Sequence, residues 1–102
     1  MNNNDKVNDS KTEKELSQDK GRIQDRIDML GAMIWAQEHH NQIMYMVDSA
    51  EDDRQLRCEL MQQYNFTYDQ AMAISDMRVK AFSLKARENM QEELESLFRK
   101  IE

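Results

Sequence analysis

Two adjacent histidines and one cysteine are the side chains of this sequence best suited to metal binding or nucleophilic chemistry. His39 and His40 would point about 100° apart on a helix, so they cannot share a metal as residues four apart can. Cys58 is the only cysteine, and no base or second cysteine lies near it in sequence to activate its thiol. We therefore predict no metal, no cofactor, a half-buried structural cysteine, and one histidine packed in a helical seam with the other in solvent.

Acidic residues gather between residues 48 and 53, where a divalent-cation loop is the first chemistry to consider. The segment lacks the spacing, the central glycine and the final glutamate of an EF-hand. Helix capping by Ser49 or Asp52 is the simpler interpretation, because their side-chain oxygens can accept hydrogen bonds from the free amides of a following helix. Glu92, Glu93 and Glu95 are similarly predicted to form a solvated helix face rather than an acid–base pair.

The composition predicts one small, all-α protein. The chain has 102 residues, no proline, two glycines and a net charge of −6, which favours helices and gives an average field that repels phosphate. DNA binding is therefore expected to be weak at most. No apolar stretch approaches the roughly 20 residues of a membrane span, and the first twenty residues lack a secretory pattern. We predict a cytoplasmic protein without membrane contacts.

The hydrophobic pattern divides the chain into a tail, residues 1–20, and a helical domain, residues 21–102. The tail is polar and is predicted to be mostly disordered. In the domain, two long stripes of heptad spacing flank two short helices, which predicts a long antiparallel coiled-coil arm with a small helical knob at its tip. The first stripe comprises Leu16, Ile23, Ile27, Leu30, Ile34, Gln37, Asn41, Met44 and Val47, and the last comprises Arg87, Met90, Leu94, Leu97 and Ile101.

The two short helices have recognisable starts and apolar positions. The first is predicted to run to about Tyr64, with Leu56 and Leu60 on its apolar face. The second is predicted to start with a capping box at Thr67 and to continue to about Lys80, before Ser83 caps the last helix. Trp35 is expected to close the junction between arm and knob if it is buried, or to contact a partner if it is exposed. The nine methionines suit either core filling or an adaptable binding surface.

Residues 70–79 read Gln-Ala-Met-Ala-Ile-Ser-Asp-Met-Arg-Val, and this run resembles a motif of the DNA gyrase A and topoisomerase IV A subunits. The resemblance covers about residues 24–102 and corresponds in that family to the coiled coil and the exit gate, or C-gate. It implies that the tip pairs with a two-fold mate. The chain departs from the family at Phe82-Ser83-Leu84-Lys85, where a Thr-Gly-Leu turn is usual, and has polar Gln37, His40 and Asn41 at usually aliphatic positions.

The resemblance also implies a non-enzymatic role in DNA topology. The DNA-cleaving tyrosine lies outside the resembling region of that family, and Tyr45, Tyr64 and Tyr68 all fall in the coiled-coil portion. Expected partners are a second copy of this chain and the A subunit of gyrase or topoisomerase IV. The predicted dimer interface comprises Tyr68, Met72, Ile74, Ser75, Met77, Arg78, Val79 and Phe82.

Two alternatives from other functional classes rest on basic residues. A small helical-bundle enzyme of the chorismate mutase type would need arginines that converge on an anionic substrate, and the available set is Arg22, Arg26, Arg78 and Arg87. Weak, salt-sensitive DNA binding would need basic residues gathered near the tip. The candidates for that role are Arg54, Arg57, Arg78, Lys80 and Lys85.

Overall fold

A computed structural model describes residues 13–101 of the chain, which form five α-helices and one 3-10 turn without any strand. The prediction of an all-α protein is confirmed. Most of the predicted tail lies outside these residues, but residues 13–20 already belong to the first helix. None of the helices described is long and apolar enough to cross a membrane. The elements are α1 (Glu13–Glu38), α2 (His40–Ser49), α3 (Asp53–Tyr64), α4 (Tyr68–Ser75), the 3-10 turn (Val79–Phe82) and α5 (Leu84–Ile101).

The two long helices, α1 and α5, pack side by side and run antiparallel. Their apolar stripes meet in a first core, in which Ile27, Leu30 and Leu97 are buried. Leu97 belongs to the last predicted stripe, and Ile27 and Leu30 belong to the first. At its edge the Arg26 guanidinium donates hydrogen bonds of 2.8 and 3.1 Å to the two carboxylate oxygens of Glu93, which lowers the pKa of Glu93. Both side chains are nearly half exposed, so this ion pair contributes at most about 1 kcal/mol and apolar contact dominates the pairing.

The first stripe does not continue to Val47 as predicted, because the helix breaks at His39. The backbone of His39 (φ −117°, ψ 37°) is not helical, and α2 starts at the next residue. After the break Ile43 and Met46 are buried, whereas the predicted stripe residues Asn41, Met44 and Val47 are exposed. The altered register buries Ile43 and Met46 and leaves in solvent Asn41, which the unbroken stripe would have buried together with Met44 and Val47.

The starts of α3 and α4 agree with the predicted caps. The Asp52 carboxylate accepts a 2.9 Å hydrogen bond from the Gln55 amide. Thr67 and Gln70 form a reciprocal capping box. The Thr67 hydroxyl accepts a 3.1 Å hydrogen bond from the backbone amide of Gln70, and the Gln70 side-chain oxygen accepts a 2.9 Å hydrogen bond from the backbone amide of Thr67. Both caps are made within three residues of sequence, so local chemistry alone determines where these helices begin.

The motif helix α4 ends at Ser75, five residues earlier than predicted. Its last turn tightens as the Met77 amide bonds to the Ile74 carbonyl, and Arg78 is extended. The 3-10 turn that follows is tied to α1, because the Gln37 side-chain amide donates a 2.6 Å hydrogen bond to the Ala81 carbonyl. This long-range bond fixes a turn where periodicity alone predicted helix.

A second core joins α1 to the three short helices. Its buried residues are Ala32, Ala36, Ile43, Met46, Leu56, Leu60, Ala71 and Ile74. Trp35 lies half-buried at its edge, with ring centroids 4.5 Å from His39, 4.6 Å from Tyr64 and 5.1 Å from Phe66. Trp35 therefore closes the junction between α1 and the short helices, which is the first of its two predicted roles.

Candidate interaction surface

A groove of about 630 Å³ lies between α4, the 3-10 turn and α5, on the segment that carries the gyrase-like motif. Its apolar lining consists of three flexible methionines and three alanines: Met33, Met77, Met90, Ala73, Ala81 and Ala86. Thioether side chains repack easily and alanines leave room beside them, so the lining can adapt to an apolar partner surface.

The rim of the groove is basic. Arg78, Lys80 and Lys85 line it, with Asp76 as the only acidic residue among the lining residues. None of the three cations forms an ion pair within residues 13–101. The rim therefore offers three positive charges to a partner, although the chain as a whole carries a net charge of −6.

Two aliphatic side chains beside the rim are strongly exposed. Val79 is 90% exposed and Leu84 is 68% exposed. Phe82, from the same 3-10 turn as Val79, packs instead against the second core. An exposed valine or leucine by itself is ordinary, but each of these two lies in the chain between two residues that line the groove, Val79 between Arg78 and Lys80 and Leu84 between Ser83 and Lys85. We call the groove, its rim and these two side chains the groove surface.

The predicted interface residues divide between this surface and other places. Met77 and Arg78 line the groove, and Val79 is the exposed residue between Arg78 and Lys80 in the chain. Ile74 is only 3% exposed and belongs to the second core, because it shares the inward face of α4 with Ala71. It is therefore not available at the surface, and we leave it out of the interface.

A second group of predicted interface residues lies on another face of α4. Tyr68, Met72 and Ser75 recur at helical spacing on the side toward α3. The Tyr68 ring lies 5.9 Å from the Arg57 guanidinium carbon, and Ser75 lines a cleft with Val47 and Leu56. The motif thus does not present a single flat interface, and only Ala73 and the C-terminal end of the motif contribute to the groove surface.

Most of the chain is similar to one part of the DNA gyrase A subunit. It is 27% identical over 79 residues to the gyrase A subunits of two strains of Streptococcus pneumoniae, and the match covers 78% of this chain. The chain spans only about a tenth of the length of these relatives, 10% in both cases, so the similarity is that of a gyrase A-like region. No protein family model matches the chain.

The groove surface includes residues that the sequence patterns did not single out. Met33 lies on α1 outside the predicted stripe, yet it lines the groove with Ala73 and Ala86. Lys80 and Lys85 were predicted only as DNA-binding candidates. The one signal in the sequence was an apolar residue off the stripe, and its partners lie more than 35 positions further along the chain.

The remaining candidates for chemistry lie apart from the groove. His39 stacks on Trp35 with its Nδ1 atom 2.8 Å from the Trp35 carbonyl oxygen, and His40 is exposed. Cys58 is exposed, so the expectation of a half-buried cysteine is wrong: the residue lies on the face of α3 opposite the buried Leu56 and Leu60.

The arginines considered for an anionic substrate do not converge. Arg22 lies 3.7 Å from Asp19, and Arg26 pairs with Glu93. Arg87 donates to the backbone carbonyl of Gln37 at 3.5 Å, and only Arg78 of the four lines the groove. The basic residues considered for DNA binding gather in part, since Arg78, Lys80 and Lys85 share the rim while Arg57 pairs with Asp53.

Proposed function

We propose that this protein is a non-catalytic homodimerisation module that resembles the exit gate of type IIA topoisomerase A subunits. Two copies meet through the groove surface, and the antiparallel pair of α1 and α5 serves as the coiled-coil arm that holds it. The observation that carries the proposal is the apolar groove on the segment that resembles the gyrase motif, together with Val79, which is 90% exposed and lies in the chain between the groove-lining residues Arg78 and Lys80. The similarity to the gyrase A subunit supports the same interpretation.

The energetics of the surface favour self-association. Complete burial of a large aliphatic side chain contributes roughly 1.5 to 3 kcal/mol, and Val79, Leu84 and Met77 all retain exposed area. Small and extended folds bury a lower fraction of their surface than compact ones of the same length. Covering this patch with a second copy therefore adds stability that the single chain lacks.

Val79→Glu is expected to convert a dimer into a monomer, because the new carboxylate would be buried without a partner in the apolar contact. The solution mass, measured by light scattering over a range of protein concentrations, checks this. Val79 is a better site for the change than Met77, which packs against the second core, so loss of the dimer would not be confused with loss of the fold.

Phe98→Glu is the control for this experiment. Phe98 is an exposed apolar residue, 45% accessible, and it lies about 12 Å along α5 from Met90, the nearest groove-lining residue of that helix, at 1.5 Å per residue. The Phe98→Glu substitution introduces the same charge as Val79→Glu but away from the groove, so the dimer should remain intact. A wild-type chain that is monomeric at all concentrations would refute the dimerisation module.

We further propose that the groove surface allows a mixed dimer with the A subunit of gyrase or topoisomerase IV. A shared interface would let the tagged chain retain such a subunit from an extract of its own cells, and the Val79→Glu chain should retain much less. Recovery of no A subunit by the wild-type chain, or equal recovery by both chains, would argue against this partner.

A further inference from the structure

The chain carries a second surface with the opposite charge. On α2 the side chains of Met44 and Val47 are 46% and 42% exposed. Val47 flanks the face that buries Ile43 and Met46, and Met44 lies further round the helix, away from that face. Acidic residues follow directly in the turn to α3. They are Asp48, Glu51, Asp52 and Asp53. We call this apolar and acidic surface the α2–α3 corner.

Two of the four acidic side chains of the corner already have a partner within the chain, and two form no ion pair among the described residues. Asp53 pairs with Arg57 at 2.8 Å, and Asp52 caps α3. Asp48 and Glu51 form no ion pair within the part of the chain that the structure describes. At least two acidic side chains on the corner and three basic side chains on the groove rim are thus available, and the two sets do not neutralise each other within one chain.

The two surfaces lie on either side of one helix end. Ser75, the last residue of α4, lines a cleft of the corner together with Val47 and Asp52. Asp76 and Met77, the next two residues, line the groove. A two-fold axis that passes close to this helix end would let the corner of each chain reach the groove of the other at the same time.

Building on the proposed homodimer, we infer that the groove is occupied by the α2–α3 corner of a second copy, in two reciprocal contacts. Met44 and Val47 of one chain lie against the methionine-lined groove of the other. Asp48 and Glu51 of the first chain lie near Lys80 and Lys85 of the second, so that acidic side chains face the basic rim. Asp76 repels the incoming acidic side chains, but three cations line the same groove, so the net charge at the rim favours an acidic partner.

This arrangement makes a specific prediction about charge reversal. In one variant Lys80→Glu and Lys85→Glu make both surfaces acidic, and in the other Asp48→Lys and Glu51→Lys make both basic. Each variant alone brings like charges together at both contacts, so its dimer dissociation constant should rise about 100-fold or more. Mixed in equal amounts, the two variants have opposite charges at both contacts, and a heterodimer should form with an affinity near that of the wild-type dimer.

Light scattering gives the mass of each sample, and native mass spectrometry distinguishes the heterodimer from either homodimer. Control variants carry the same changes in charge on exposed positions of α5. Glu92→Lys with Glu95→Lys matches the basic variant, and Arg99→Glu with Lys100→Glu matches the acidic one. Both controls should remain dimers, and their helical circular dichroism should equal that of the wild type.

The outcomes separate this inference from the proposal on which it rests. A wild-type monomer would overturn both. A wild-type dimer that persists in both reversed variants would leave the dimerisation module standing and overturn the pairing of corner and groove. Reversed variants that are monomeric alone and also when mixed would overturn it as well, because complementary charges would then have failed to restore the contact.

Discussion

Leu30→Ala is expected to lower the free energy of unfolding by about 2 to 5 kcal/mol. Leu30 is completely buried between α1 and α5, and truncation removes its contacts and leaves a cavity that neighbours on two rigid helices fill only in part. Small domains are stable by only about 5 to 15 kcal/mol, so this single change removes much of the total. Urea unfolding followed by circular dichroism measures the loss.

Leu84→Ala provides a matched comparison for Leu30→Ala when both changes are made in the Val79→Glu chain, because without a dimer partner the same atoms are removed from a side chain that is 68% exposed. Surface changes of this kind usually alter stability by about 0.5 kcal/mol or less. Equal losses in the two variants would mean that Leu30 is not enclosed between α1 and α5, and the antiparallel pairing would need revision.

Trp35→Ala is expected to cost about 3 kcal/mol, the low end of the range for buried aromatic residues, since Trp35 is only partly buried. The change removes contacts with the rings of His39, Tyr64 and Phe66, and these contacts connect α1 with the end of α3. A domain of this size should lose roughly 12 to 24 °C in its melting temperature, which thermal unfolding monitored by circular dichroism detects.

The matched comparison for Trp35→Ala is Tyr45→Ala, which removes an aromatic ring that is 76% exposed. That variant should melt within a few degrees of the wild type. If both variants melted together near the wild-type temperature, the aromatic cluster would not be what joins the short helices to α1.

Features fixed by neighbouring residues were predictable from the sequence. The caps at Asp52 and Thr67 each connect a side chain to an amide three residues away, so their chemistry is visible in four residues of sequence. The stripe from Met90 to Ile101 repeats apolar side chains at helical spacing, which predicts one apolar face, and this face packs against α1.

The break at His39 and the early end of α4 were not predictable in the same way. The break depends on how much apolar area Ile43 and Met46 bury against α3 and α4. The end of α4 is followed by a turn held by Gln37, 44 positions before Ala81 in the chain. A periodic pattern carries no information about partners so distant, and tertiary contacts override local preference at such points.

The groove surface was also predictable only in part from the sequence. The motif indicated which segment to inspect, but not which of its side chains face outward. Ile74 and Val79 are both aliphatic, and yet one is 3% and the other 90% exposed. The two residues are five positions apart, which is about 140° around a helix, and α4 ends between them. Val79 therefore lies off the inward face that Ile74 shares with Ala71.

The hydrogen bond from Gln37 to the Ala81 carbonyl also affects the register in which α5 packs against α1. Gln37 is 1% exposed, and a slide of α5 along α1 by one helical turn would carry Ala81, in the turn that leads into α5, away from it. Such a slide would leave the Gln37 amide and the Ala81 carbonyl without partners in a dry environment, at a cost of about 1 to 3 kcal/mol for each group. Leucine and isoleucine stripes pair in several registers with similar energy, and one buried glutamine selects a single one of them.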